Sequence, residues 1–183
     1  TIRELKGEDL ADDRRATVNL GLDLRIDGSY IPDMNQRLAA YRRLASARTL
    51  EEVEGFVDEL RDRYGAPPVS VANLAEYARI RVAADRLGLD SVDREGSTAV
   101  LKFRGDAKID PAWLLRFVQS SGGLTLVPPA VLRGTGIFEI PTERGRVSLG
   151  ASRTPPQSVE ISPVPLEPLR DLLARLSRGL GPG

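Results

Sequence analysis

Hydrophobic and polar positions change period along this chain. Residues 1–16 are polar and rich in charge, and they read as the tail of a preceding helix followed by a linker. Residues 17–26 then alternate, with Val18, Leu20, Leu22, Leu24 and Ile26 on one parity. Period two predicts a half-buried strand, with Gly21 as a bulge and Asp27-Gly28 as the closing turn. Three helices follow. Asp33 caps the first, with Gln36 three residues on, and Met34, Leu38, Tyr41 and Ala45 recur at helical spacing. Thr49 with Glu52 forms a capping box for the second, whose buried stripe is Val53, Phe56, Val57, Leu60 and Tyr64 and whose end is Gly65. The third runs roughly 70–87, with Leu74, Tyr77, Ile80, Ala84 and Leu87 inward and Gly88 at its end.

Beyond Gly88 the period shortens. Ser91–Val92 and Thr98–Phe103 read as strands joined by a turn at Glu95-Gly96. Asp110-Pro111 opens a short helix with Trp113, Leu114, Phe117 and Val118 on its apolar face, and Gly122-Gly123 stops it. Residues 124–127, 137–140, 146–149 and 158–162 are short strand candidates, 141–157 is the expected loop, and a last helix over 166–178 carries Leu169, Leu172, Leu173 and Leu176. The expected fold is α+β in a single domain: an N-terminal strand, a three-helix segment, then a small antiparallel sheet with two further helices. Residues 1–28 form the linker and entry strand and residues 29–183 the domain proper.

Composition narrows the chemistry. The 183 residues include no Cys and no His. That removes disulfides, thiolate nucleophiles, cysteine zinc sites and every Ser-His-Asp or Cys-His arrangement within the chain. A metal would find only carboxylates, carbonyls and water, so the expectation is no cofactor and no metal. The 26 basic and 26 acidic groups cancel, which is not the profile of a dedicated nucleic-acid binder. No stretch is long and apolar enough for a membrane span and no signal peptide opens the chain, which fits a cytoplasmic protein without membrane contact. The chain starts at Thr1 rather than Met, as a piece of a longer protein would. A binding or regulatory module is therefore the default, not an enzyme.

The motifs follow that lead. Arg133-Gly134-Thr135-Gly136 holds a GxG without the third glycine or the βαβ context of a nucleotide site, and reads as a strand connection. Asp12-Asp13 lies in the linker, and Glu51-Glu52 complements the dipole of a helix start. Two arginine clusters, Arg42-Arg43 with Arg48 and Arg79-Arg81 with Arg86, leave open an accessory nucleic-acid-contacting role, although few aromatics accompany them. The second helix is the most suggestive. Its outer face carries Glu51, Glu52, Glu54, Asp58, Glu59 and Asp62. Glu59 and Asp62 are neighbours three apart, and Glu59 stands four before Arg63 in the favourable order for an intrahelical pair. Such a stripe is either a solvated face or a docking surface for arginines of a partner.

The run Tyr30-Ile31-Pro32-Asp33-Met34-Asn35-Gln36-Arg37-Leu38, followed by Tyr41-Arg42-Arg43 and Ala45-Ser46-Ala47, closely resembles the C-terminal domain of the bacterial transcription-repair coupling factors (Mfd). Asp58-Glu59-Leu60-Arg61-Asp62-Arg63-Tyr64-Gly65 with Pro67, then Ala78-Arg79-Ile80-Arg81, Leu87-Gly88 and Asp110-Pro111-Ala112-Trp113-Leu114, continue the likeness. Arg3-Glu4-Leu5-Lys6-Gly7 is similar to the join with the family's motor. The resemblance covers residues 1–118, and the region 128–160 departs from the family. It implies a regulatory domain of an ATP-dependent double-stranded-DNA translocase that couples transcription to nucleotide excision repair. In the family this domain docks on the UvrB-like module of its own chain, masks the UvrA-binding surface and restrains the motor. RNA polymerase and DNA are bound by other domains. The docking helix carries the D-E-L-x-D-R-[FY]-G pattern, which here places Glu59, Asp62 and Arg63 at the contact. For the first motif, which opens at Tyr30, local chemistry reads as structure: Pro32 and Asp33 set the helix start, Leu38 and Tyr41 pack, and Asn35 and Arg37 tie down the preceding loop.

Overall fold

The computed structural model describes residues 15–138 and 165–180. In chain order the elements are β1 (Thr17–Asn19), α1 (Met34–Ser46), α2 (Leu50–Tyr64), α3 (Val69–Arg86), β2 (Leu89–Glu95), β3 (Thr98–Phe103), α4 (Pro111–Ser120), β4 (Leu124–Val127), β5 (Val131–Gly134) and α5 (Glu167–Leu180). The fold is α+β. Its sheet has the order β1-β2-β3-β5-β4, with β1 parallel to β2 and the remaining pairs antiparallel. Register aligns Val18, Val92, Leu101 and Leu132 across four strands, and all four are buried. That row is one face of the sheet, since side chains alternate with period two along each strand.

Helix α3 stands between two cores. Ile80, Ala84 and Leu87 belong to the sheet core, together with Leu114 from α4 and Leu169, Leu172, Leu173 and Leu176 from α5. Val71, Leu74, Ala78 and Val82 belong to the helical core, with Ala40 and Leu44 from α1 and Val53, Phe56 and Leu60 from α2. Apolar positions on two sides of α3 are buried, which the five inward positions expected from periodicity understate. Trp113 stacks on Phe117 at 5.1 Å and closes the sheet core against α5. A Cβ on Gly179 would lie 1.6 Å from the Trp113 ring, so only glycine fits there.

Local signals hold where the interaction is local. The oxygens of Asp33, Thr49 and Asp110 accept from the backbone N–H of Gln36, Glu52 and Ala112, capping α1, α2 and α4. Leu169, Leu172, Leu173 and Leu176 of α5 face inward.

Several expectations are corrected. The strand expected over 17–26 forms a ladder only over Thr17–Asn19. Gly21 takes a left-handed conformation (φ +67) and turns the chain off the ladder. The parity nevertheless persists: Val18 and Leu20 enter the sheet core, while Ile26 enters the helical core. The entry segment thus stitches the two halves together. On α1, Met34, Leu38 and Ala45 are exposed, and the helix packs through Ala40 and Leu44 instead. Residues 137–138 lie in a turn rather than a strand, and β5 at Val131–Gly134 takes the place beside β3. Arg133-Gly134 therefore ends a strand, and only Thr135-Gly136 belong to the turn after it. The expectations for residues 1–14, 139–140, 141–157, 146–149 and 158–162 fall outside the described residues.

Candidate docking surface

Polar contacts from the Tyr30–Tyr41 motif fix the entry to α1 and the far end of α2. Arg37 Nη1 donates to the carbonyls of Ile31 (2.6 Å) and Pro32 (2.9 Å), holding the loop that leads into α1. The Tyr41 hydroxyl accepts from the Ile26 backbone N–H at 2.6 Å. The Tyr30 hydroxyl donates to the carbonyls of Gly65 (3.0 Å) and Leu60 (3.3 Å), and its ring meets Tyr64 at 5.8 Å. Tyr64 in turn hydrogen-bonds the Gln36 side chain. Asn35 is exposed with no hydrogen bond among the described residues, so the loop is tied by Arg37 and not by Asn35. Leu38 is 42% exposed and does not pack as expected.

The other end of α1 rests on an unusual group. Arg81, on α3, is 5% exposed and donates to the carbonyls of Ala45 (2.5 Å), Leu44 (2.8 Å) and Ala47 (3.1 Å). Arg15 adds a bond to Ala47 at 3.1 Å. These oxygens are the unsatisfied carbonyls of a helix C-terminus, where a cation is also favoured by the dipole. Burial, followed by the nearby Arg15 charge, pushes the Arg81 guanidinium below its ordinary value.

On this frame α2 presents its acidic face. The carboxylates of its first two turns and its middle are engaged: Glu52 Oε2 accepts from the Arg48 backbone N–H at 2.8 Å, and Glu54 takes a forked bond from Arg79 at 2.6 and 2.7 Å. Asp58 pairs with Arg61 at 2.9 Å. Glu59 is held from two sides, by Arg43 of α1 at 2.5 Å and by Arg63 at 3.2 Å. The Arg43 hydrogen bond leads the causes that hold the Glu59 carboxyl below the ordinary carboxylate range. Asp62 differs: it is exposed and makes no hydrogen bond or ion pair among the described residues. A small groove of about 120 Å³ runs beside this face, floored by Ile31, Phe56 and Leu60 and walled by Arg43, Glu59 and Arg63.

The structure brings Glu59, Asp62 and Arg63 onto one face of α2, and adds Arg43, which spacing within α2 had no means of showing. The signal for Arg43 lies in the hairpin itself, because an antiparallel neighbour helix supplies a partner across the seam. The arginine clusters do not survive as clusters. Arg43 and Arg79 are paired with glutamates and Arg81 is buried on carbonyls, while Arg42 and Arg86 face outward. No group of three metal-capable side chains occurs among the described residues, and no described helix is long and apolar enough to cross a membrane.

A family model described as the TRCF domain matches residues 20–114, which hold the whole α1–α2 hairpin. The transcription-repair-coupling factor of Escherichia coli (strain K12) is 35% identical over 117 residues, covering 64% of this chain and 10% of that protein. That of Mycobacterium bovis is 39% identical over 83 residues, covering 45% of this chain and 7% of that protein. The chain thus spans about a tenth of the length of the curated relatives it matches. A crystal structure of the C-terminal domain of a transcription-repair coupling factor aligns with a TM-score of 0.58 at 17% identity, over 68% of this chain and 81% of that one, so the two share a fold. With its hairpin, its capped helices and its sheet accounted for, the chain belongs to the TRCF domain family of the transcription-repair-coupling factors.

Proposed function

We propose that this domain does no chemistry of its own and acts as a docking and restraint module of a longer DNA-repair translocase. On this reading it folds back on the UvrB-like module of its own chain, masks the surface that recruits UvrA, and restrains the motor until RNA polymerase is engaged. The observation that carries it is Asp62: an exposed carboxylate, unpaired among the described residues, one turn from Glu59 on a helix capped at both ends. A capped helix holds carboxylates in fixed relation, which suits recognition by arginine forks. A contact made of exposed charges is also moderate in strength, as a lock that must open requires. Nucleic-acid contact is the less favoured reading, because the arginines that motivated it are largely spent on glutamates and backbone carbonyls.

The test is a charge reversal in the full-length protein that carries this domain. Asp62→Arg raises both UvrA binding and polymerase-independent ATP hydrolysis, while the circular dichroism melt of the 183-residue chain stays at the wild-type temperature. If both readouts remain at wild-type level with the fold intact, Asp62 is not part of the lock.

A further inference from the structure

We infer that Arg43 is an internal competitor for the docking partner: it occupies the Glu59 carboxylate that an arginine-presenting surface would take, and so sets from α1 how tightly α2 docks. The inference rests on the docking reading given above and specifies how that same site is regulated.

Both oxygens of Glu59 are engaged in the chain as it stands. Arg43 Nη1 lies 2.5 Å from Oε2, and Arg63 Nη1 lies 3.2 Å from Oε1. The three groups sum to one positive charge. A guanidinium arriving at Glu59 therefore meets a cationic site, and of the pair Glu59 and Asp62 it is Asp62 that offers a carboxylate without a partner among the described residues. To engage Glu59 through both oxygens, as an arginine fork prefers, the partner must displace a resident arginine. The Glu59 side chain is 34% exposed and both arginines are 56% exposed, so the exchange is sterically open.

The two residents differ in grip. Arg63 sits four residues from Glu59 on the same helix, an arrangement of small energetic weight. Arg43 makes the shorter bond, crosses from another helix, and lies over the Phe56 ring at 4.5 Å, which keeps its guanidinium at the carboxylate. Arg43 is also the leading cause of the lowered Glu59 carboxyl pKa. A partner that needs a free Glu59 binds more weakly in proportion to the fraction of molecules in which it is free. Removing Arg43 raises that fraction by up to about five-fold, the scale on which an exposed ion pair holds its members.

The experiment measures the apparent Kd for labelled UvrA in the full-length protein, where tighter docking means weaker UvrA binding. Arg43→Gln keeps part of the stem over Phe56 and removes the charge; it weakens UvrA binding by up to about five-fold. The double variant Arg43→Gln with Glu59→Gln shows no such change relative to Glu59→Gln alone. In the 183-residue chain, NMR titration of the Glu59 carboxyl moves up toward the ordinary range in Arg43→Gln. That shift confirms the pair independently of docking, and Arg43→Met, which keeps an apolar stem over Phe56 without the charge, serves if the glutamine variant loosens the hairpin. If Asp62→Arg strengthens UvrA binding but Arg43→Gln leaves it unchanged or also strengthens it, the competitor role is wrong and the docking reading stands. If Asp62→Arg has no effect, both fall.

Discussion

On the sheet side of α3 the core is apolar: a row of four buried side chains crosses the strands and four leucines of α5 close over it, with polar contacts such as Asp85 to the Ala16 N–H and Arg104, and Arg175 to Ser121, at its margin. On the helical side an apolar core exists too, but polar devices hold its edges. Arg81 caps α1 from beneath, Arg37 and Tyr41 tie the entry loop, and Arg43–Glu59 and Arg79–Glu54 bridge the helices. The comparison separates two jobs. Apolar burial is strong and indifferent to direction, so it suits a half that only has to hold together. Charged and hydrogen-bonded contacts are weaker on the surface but specific in geometry, which is what the docking role proposed for the helical half would require. The family model lies over the helical half and the β2–β3 hairpin, while β4, β5 and α5 fall beyond it.

The sharpest way to break this contrast is a cavity on the sheet side. Leu176 is fully buried, and Leu176→Ala costs about 2–5 kcal/mol by loss of transfer energy plus a cavity. Chemical denaturation reads this directly; a cost below about 1 kcal/mol would mean that α5 is not an integral wall of the core.

A smaller effect is expected where the helical half relies on a buried cation. Arg81→Leu removes the donors to three carbonyls at the end of α1, at a cost of about 1–3 kcal/mol, moderated because Arg15 still serves Ala47. Amide hydrogen exchange should quicken in the last turn of α1 before it changes in the sheet. Exchange that quickens uniformly would show that the two halves unfold as one unit.

The smallest effect belongs to the surface ion pairs and appears with pH. Arg79 and Arg43 hold Glu54 and Glu59 below their ordinary value of 4.5. A carboxyl whose pKa is lower in the folded chain releases its proton more readily there, so protonation favours unfolding. The contribution is complete above the ordinary value and disappears as pH falls from it through the folded-state value. A Glu54→Gln, Glu59→Gln variant should therefore lose less thermal stability than wild type between pH 6 and pH 3. Parallel melting curves across that range would show that the bridges add nothing to stability and leave docking as their use.

Short-range chemistry was legible in the residues themselves. The caps at Asp33, Thr49 and Asp110 depend on an oxygen meeting an N–H two or three residues on, and the α5 stripe depends only on helical periodicity. Strand β5 was not legible, because four residues following Pro128-Pro129 carry too little period to distinguish a strand from a loop. The inward face of α1 misled for a related reason. Ala40 is a contact residue because it is small, whereas Met34 and Leu38 carry the larger apolar signal and yet face outward.

The candidate surface divides in the same way. That Glu59, Asp62 and Arg63 share a helix face follows from 3.6 residues per turn, and the sequence by itself determined it. That Asp62 is left without a partner among the described residues while Glu59 is clamped by Arg43, and that Arg81 is buried on the end of α1 rather than displayed in a basic cluster, only the tertiary structure decided. Each of those outcomes depends on groups far apart in the chain, 16 residues for Arg43–Glu59 and 37 for Arg81–Leu44, brought together when α1, α2 and α3 pack. Helical periodicity fixes the angle of a side chain about its own axis; whether a charge at that angle meets solvent, an opposite charge or a row of carbonyls is settled by where the neighbouring helix lies.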